Sequence, residues 1–189
     1  MPAIWLTSDT HFGHTGVCRF THPDDITKKL RPWDTAEEMD EAMVKAWNDR
    51  VRPSDKVYHL GDVVMNRKAL PILSRLNGDK VLIRGNHDIF KDEDYAPYFR
   101  SLRAYHVVDG MILSHIPIHS DSLGRFGANI HGHLHATRVM RDGVVDVRYH
   151  CVCVEQTPDF APILFEDVIE RIRAEGGSIG FKNGNGGIS

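Results

Sequence analysis

The sequence predicts an α/β fold whose second half turns rich in β structure, and three observations predict it. Short apolar runs alternate with helical periodicity as far as residue 84. Strand-like runs then dominate from Tyr105 to Glu155. Clusters of Asp, Asn and His stand directly after the strand-like runs, where open α/β sheets collect their ligands.

The elements follow in order. AIWLTS (3–8) is apolar and then polar, as a buried strand requires. Thr35 and Glu38 form a capping-box pattern ahead of a helix to Arg50, in which Met39, Met43 and Trp47 recur on one face before Pro53 stops it. DKVYHL (55–60) is a second strand. Asn66 to Leu76 reads as a second helix, with Pro71 near its first turn and Asn77-Gly78 closing it. KVLIR (80–84) is a third strand, and the β-α-β-α-β series favours parallel pairing. YHVVDGMILSH then gives two strands around Asp109-Gly110, NIHGH and GVVDVRYHCVCVE give more strand, and EDVIERIRAE gives a closing helix. One domain over residues 1–175 is expected. The Gly- and Asn-rich tail over 176–189 is expected to be mobile.

Composition narrows the function. The chain has 189 residues, 41% hydrophobic and 26% charged, as an ordinary globular domain has. A net charge of −3 without a Lys/Arg-rich stripe argues against long nucleic acid as partner. No apolar run approaches the roughly 20 residues of a membrane helix, and MPAIWLTSDTHF lacks the layout of a signal peptide. Three cysteines (Cys18, Cys151, Cys153) without C-x-x-C spacing fit free thiols, so the cytoplasm is the expected compartment. Twelve histidines are more than folding requires.

Three consecutive strands deliver polar groups to one edge: Asp9 and His11, then Asp62 after Gly61, then Asn86, His87 and Asp88 after Gly85. Both glycines suit sharp turns at those points. Carboxylate, amide oxygen and imidazole together suit divalent manganese, iron, cobalt, nickel or zinc, and the lack of thiolates argues against a closed structural zinc site. Two ions need roughly eight to ten ligands, more than the first half supplies, and a central aspartate can bridge them. SHIPIH and the three imidazoles of IHGHLH would complete the set.

These blocks, D-x-H (Asp9, His11), G-D (Gly61, Asp62), G-N-H-D (85–88), His115 and G-H-x-H (132–135), resemble the calcineurin-like metallophosphoesterase superfamily, in order and across residues 9–135. SDTHFGH and HGHLH look like its small, single-domain bacterial and phage branch. The resemblance implies an α-β-β-α sandwich of two mixed sheets flanked by helices. It implies one ion on Asp9, His11, Asp62 and His135, and a second on Asp62, Asn86, His115 and His133, with manganese first in line. His87 would face the substrate as general acid or transition-state stabiliser, oriented by Asp88. The activity implied is hydrolysis of a phosphomonoester or phosphodiester by in-line attack of a metal-bridging hydroxide. A cyclic-nucleotide phosphodiesterase or nuclease on the same centre is the alternative. A non-catalytic binding module ranks last, because none of these residues is lost. The substrate would be a small phosphoester or nucleotide, with no membrane partner.

Other residues carry weaker signals. His14 and His119 lie near ligands and are candidate phosphate contacts, as is Arg84, although a strand-end salt bridge suits Arg84 better. His59 reads as a packed strand residue or a partner of a ligand, and His131 as a strand residue ahead of the working pair. Where the branch often has Asn after G-H, this chain has Thr15-Gly16, and substrate choice is expected to lie in segments 12–33 and 116–129.

Overall fold

The computed structural model describes residues 2–181. Chain order runs β1 (Ile4–Thr7), the hairpin β2 (Thr21–His22) and β3 (Asp25–Lys29), α1 (Ala36–Arg50), β4 (Lys56–His59), β5 (Asp79–Ile83), α2 (Asp92–Tyr95) and β6 (Ser101–Arg103). It continues with β7 (His106–Val108), β8 (Met111–Ser114), α3 (Ser120–Leu123), β9 (Asn129–His131), the hairpin β10 (Met140–Arg141) and β11 (Val144–Val145), β12 (Tyr149–Cys151), β13 (Ile163–Leu164) and α4 (Phe165–Ala174).

Two mixed sheets form the body. The first has the order β13-β1-β4-β5-β6, parallel except for β13, and the second has the order β12-β9-β8-β7, parallel except for β7. Strand alternation assigns the faces. Leu6, Tyr58, Val81 and Ile83 of the first sheet meet Met111, Leu113 and Ile130 of the second in one buried cluster, which Phe165, Val168 and Ile172 of α4 join. Val57 and Leu82 point the other way, into a cluster with Met39, Met43 and Trp47 of α1. Each of these three helix side chains is at most 2% exposed, so each contributes about 2–3 kcal/mol. The outer face of the second sheet is covered by α3, whose Leu123 packs with Ile112 and Tyr149. The layers therefore run α-β-β-α, with a fourth layer one turn long.

Local readings hold at α1, where the Thr35–Glu38 capping box is present, and at the turn through Asp109 (φ 47°) and Gly110 (φ 75°). One is corrected. Arg67–Arg75 is a 3-10 helix, capped by Asn66 on the Ala69 N–H. Pro71 is its fifth residue, where α geometry would drive the ring into the Arg67 carbonyl. Of the 176–189 tail, Phe181 pairs with Phe126 beside the second sheet, and residues 182–189 lie outside the described residues. Among the described residues no helix is long and apolar enough to cross a membrane, and Cys18, Cys151 and Cys153 are free and buried.

Candidate metal centre

Both sheets aim the ends of their parallel strands at one place. Beyond β1 the backbone keeps pairing with the segment after β4, through Asp9 N–H to Gly61 O (2.9 Å) and His11 N–H to Asp62 O (3.0 Å). These segments hold unusual conformations. Asp9, His11, Asp62, His133 and His135 all have φ between 49° and 69°, a region that L side chains rarely adopt. Five expected ligands thus share a backbone that the surroundings must enforce, as strained functional sites do. Gly61 (φ +100°) makes the sharp turn expected of it. Gly85 serves differently: its φ is ordinary, and a Cβ there would run into the Asp62 carboxylate.

The ligand atoms converge. His11 Nε2 lies 3.7 Å from Asp9 Oδ1 and 3.8 Å from Asp62 Oδ2. His135 Nε2 is 3.7 Å from Asp9 Oδ1, and His115 Nε2 is 3.4 Å from Asp62 Oδ2 and 2.9 Å from Asn86 Oδ1. Two groups could each hold an ion, Asp9–His11–His135 and Asp9–Asp62–His115. Asp9 is common to both by distance, while Asp62 Oδ2 stands between His11 and His115 as a bridge would. The His133 ring packs edge-on to His115, centroids 5.1 Å apart, and the His133 backbone N–H donates to Asp9 Oδ2 (2.9 Å). Asn86 and His87 are exposed at the mouth.

Neighbours fix the ligands. Asp9 Oδ2 accepts from Ser8 Oγ (2.5 Å) and the Cys153 thiol (3.1 Å). His115 Nδ1 donates to Leu60 O (2.8 Å), which leaves Nε2 as its ligating nitrogen. Glu155 Oε1 accepts from His135 Nδ1 (2.9 Å) with the same effect. Arg31, 0% exposed, holds Glu155 at 2.7 Å and donates to the Asp9 and Thr10 carbonyls. His59 is fully buried and joined to Thr10 Oγ1 (3.0 Å) and the Gly61 N–H (3.2 Å).

Electrostatics mark a site short of positive charge. Burial alone would raise the Asp9 and Asp62 carboxyls, yet neighbouring imidazoles hold both below the usual range. Burial likewise opposes charge on His115 and His135, but Asp62 and Asp9 raise the first, and Glu155 and Asp9 the second. Asp9 Oδ1, buried, has no hydrogen-bond partner among the described residues. An unpaired carboxylate oxygen facing two imidazole nitrogens fits a divalent cation held by oxygen and nitrogen donors.

Not every expected role holds. Asp88 does not orient the His87 ring: its oxygens accept the N–H groups of Asp62 (2.8 Å), Val63 (2.9 Å) and Gly85 (2.8 Å). It ties the loop after β4 to the loop after β5, a role that three neighbouring amides demand of one buried acid. The Arg84 guanidinium is engaged by Asp92 (2.5 Å), Phe90 O (2.6 Å) and Asp88 O, the contacts of the salt-bridge reading. His119 has a side chain 76% exposed and caps α3 through Asp121 N–H, as a surface residue. His14 stays beside the centre, its ring 5.7 Å from that of His11, with Nδ1 accepting from Gly16 and Val17. His131 is buried with Nδ1 on Gly132 O, beside the ligands and not among them. Nothing in the sequence singles out Arg31 and Glu155, which stand far apart along the chain and carry no motif.

Two mixed sheets between helices, with Asp, His and Asn ligands gathered at their strand ends, define the metallophosphoesterase class of fold and site. The chain matches the calcineurin-like phosphoesterase family over residues 2–159 and belongs to it. It is 38% identical over 143 residues to an uncharacterised protein of Methanocaldococcus jannaschii, covering 74% of this chain and 73% of that one. It is 35% identical over 94 residues to the gene 66 protein of Mycobacterium phage L5, covering 47% of this chain and 41% of that one. Its fold is similar to that of a protein of unknown function from Aquifex aeolicus, with a TM-score of 0.67 and 24% identity, covering 90% of this chain and all of the other.

Proposed function

We propose that this protein is a metal-dependent phosphoester hydrolase with two divalent ions, manganese first among them. The observation that carries the reading is the unpaired, buried Asp9 Oδ1 facing His11 and His135, with Asp62 Oδ2 set between His11 and His115. Asp9, His11, Asp62 and His135 would hold one ion, and Asp62, Asn86, His115 and His133 the other. When bound, such a pair supplies positive charge for phosphoryl oxygens and acidifies water near neutral pH.

The chain's own residues do the rest. His115 and His135 present Nε2 because Leu60 O and Glu155 occupy Nδ1. The His87 backbone donates to Asp62 Oδ1 (2.8 Å), which places its exposed ring 5.5 Å from that of His11, at the open side of the site. From there His87 donates a proton to the departing alkoxide oxygen. The substrate is a small phosphoester that enters from that side.

The test compares a chromogenic phosphomonoester and phosphodiester, with and without added manganese. Hydrolysis of either one that depends on the metal is expected. His87→Ala should lower turnover by about 10²–10⁴-fold while metal content stays that of the wild type. Unchanged turnover in that variant contradicts the role of His87. A metal-replete protein that cleaves neither ester contradicts the function.

A further inference from the structure

The structure assigns a second subsite beside the centre: a groove that takes a planar aromatic ring on the esterified group of the substrate. This rests on the hydrolase reading and names the class of ester it acts on.

The groove has a volume of about 480 Å³, within the roughly 300–1,000 Å³ of small-ligand sites. It lies at the seam between the sheets and shares Asn86 and His115 with the metal centre. A group esterified to phosphorus at those residues therefore reaches it directly. Its other walls are apolar: Ala104, Tyr105, Ile112, Ile116 and Ile118. Tyr105 and Ile116 are 60% and 53% exposed, unusual for large side chains grouped in one place.

The Arg84 and Ser114 side chains of the groove are already engaged. Arg84 is held by Asp92, Asp88 O and Phe90 O. Ser114 Oγ donates to Ile116 O (2.8 Å) and accepts from Asn129 Nδ2 (2.9 Å). Apart from the candidate metal ligands, the Tyr105 hydroxyl is the main side-chain group left to hydrogen-bond, so recognition falls to shape and to the Tyr105 ring. That ring sits in the two-residue link between β6 and β7. The link is pinned on one side where Arg84 N–H meets Arg103 O (2.9 Å) and on the other where His106 pairs with Leu113. A tyrosine on a pinned link has two side-chain torsions to order when its ring stacks on a flat partner, a low cost. Ile116 and Ile118 lie in segment 116–129, one of the two expected to set substrate choice, whereas Tyr105 lies outside both.

Calorimetry on the manganese-loaded full chain tests this with three non-hydrolysable probes: 2-phenylethylphosphonate, hexylphosphonate and ethylphosphonate. The phenyl probe should bind about tenfold tighter than the ethyl probe, a stacking-sized gain, and tighter than the hexyl probe. Tyr105→Ala should shrink the phenyl-to-ethyl ratio to within about twofold, and Tyr105→Phe should restore it. Tyr105 is on the surface, so folding is not at issue. Equal binding of phenyl and hexyl probes, or a ratio unmoved by Tyr105→Ala, overturns the ring subsite. Turnover of 2-phenylethyl and ethyl phosphate, whose leaving alkoxides are alike, separates the two claims. Ring-dependent binding with no hydrolysis of these monoesters or of the chromogenic phosphodiester leaves the groove and removes the hydrolase. Equal hydrolysis and equal binding leave the hydrolase and remove the groove.

Discussion

Asp9 shows how one carboxylate is prepared for a cation. Three donors, from Ser8, Cys153 and the His133 backbone, fix Oδ2, while Oδ1 is left bare between two imidazoles. His135 is prepared in a parallel way by Glu155, which the buried Arg31 guanidinium keeps charged against the pull of burial. Glu155→Gln retains the shape and removes the charge. It should weaken metal binding by about 10–100-fold and, by leaving Arg31 buried without a counterion, cost about 3–5 kcal/mol. Manganese titration and urea unfolding of the metal-free variant measure the two effects separately. Wild-type affinity together with wild-type stability contradicts this account of the Arg31–Glu155–His135 chain.

At the scale of elements, loops take their shape from what the strands bring together. Asp88 joins the loops after β4 and β5, and the bridge between Ser8 and Cys153 joins the first sheet to the run after β12. Helix α1 meets the surroundings of the site through Met39 and Asp40 and gives it no candidate ligand. Thr35→Ala should therefore remove a cap worth about 1 kcal/mol with turnover unchanged, read from thermal unfolding and a steady-state assay. A loss of turnover would tie α1 to the chemistry. The motifs made most ligands legible in advance, because a short spacing such as that from Asp9 to His11 survives any fold. Arg31, Glu155 and Tyr105 were not legible, since each works through a contact that only the packed sheets create. Asp88 was misread for the same reason: its place after His87 is visible in the sequence, while two of the three amides it binds come from the loop after another strand. Pro71 could have warned against an α-helix, since it sits beyond the first turn.

The whole molecule balances buried titratable groups of opposite sign. Burial pushes the His59 imidazole down to about 3, against the pull of Asp9 and Asp62. The unfolded chain takes up that proton near 6.5. The stability His59 confers is thus complete above about pH 6.5 and lost as pH falls toward 3. Burial pushes Asp40 up to about 6 although the Gly13 N–H opposes it, so its contribution is full below about pH 4 and lost as pH rises through 6. In metal-free protein, His59→Gln should flatten the fall in stability between about pH 7.5 and 5, and Asp40→Asn should steepen it, each by on the order of 1–2 kcal/mol. Shifts of the same sign in both variants contradict this assignment.

The central claim is that side chains from both sheets close on a pair of cations. Elemental analysis of the wild-type chain, stripped and then reloaded with manganese, tests it most directly, with Asp62→Asn measured alongside. Two ions per wild-type chain and fewer than one in the variant are predicted. One ion or none in the wild type, or an undiminished pair in the variant, contradicts it.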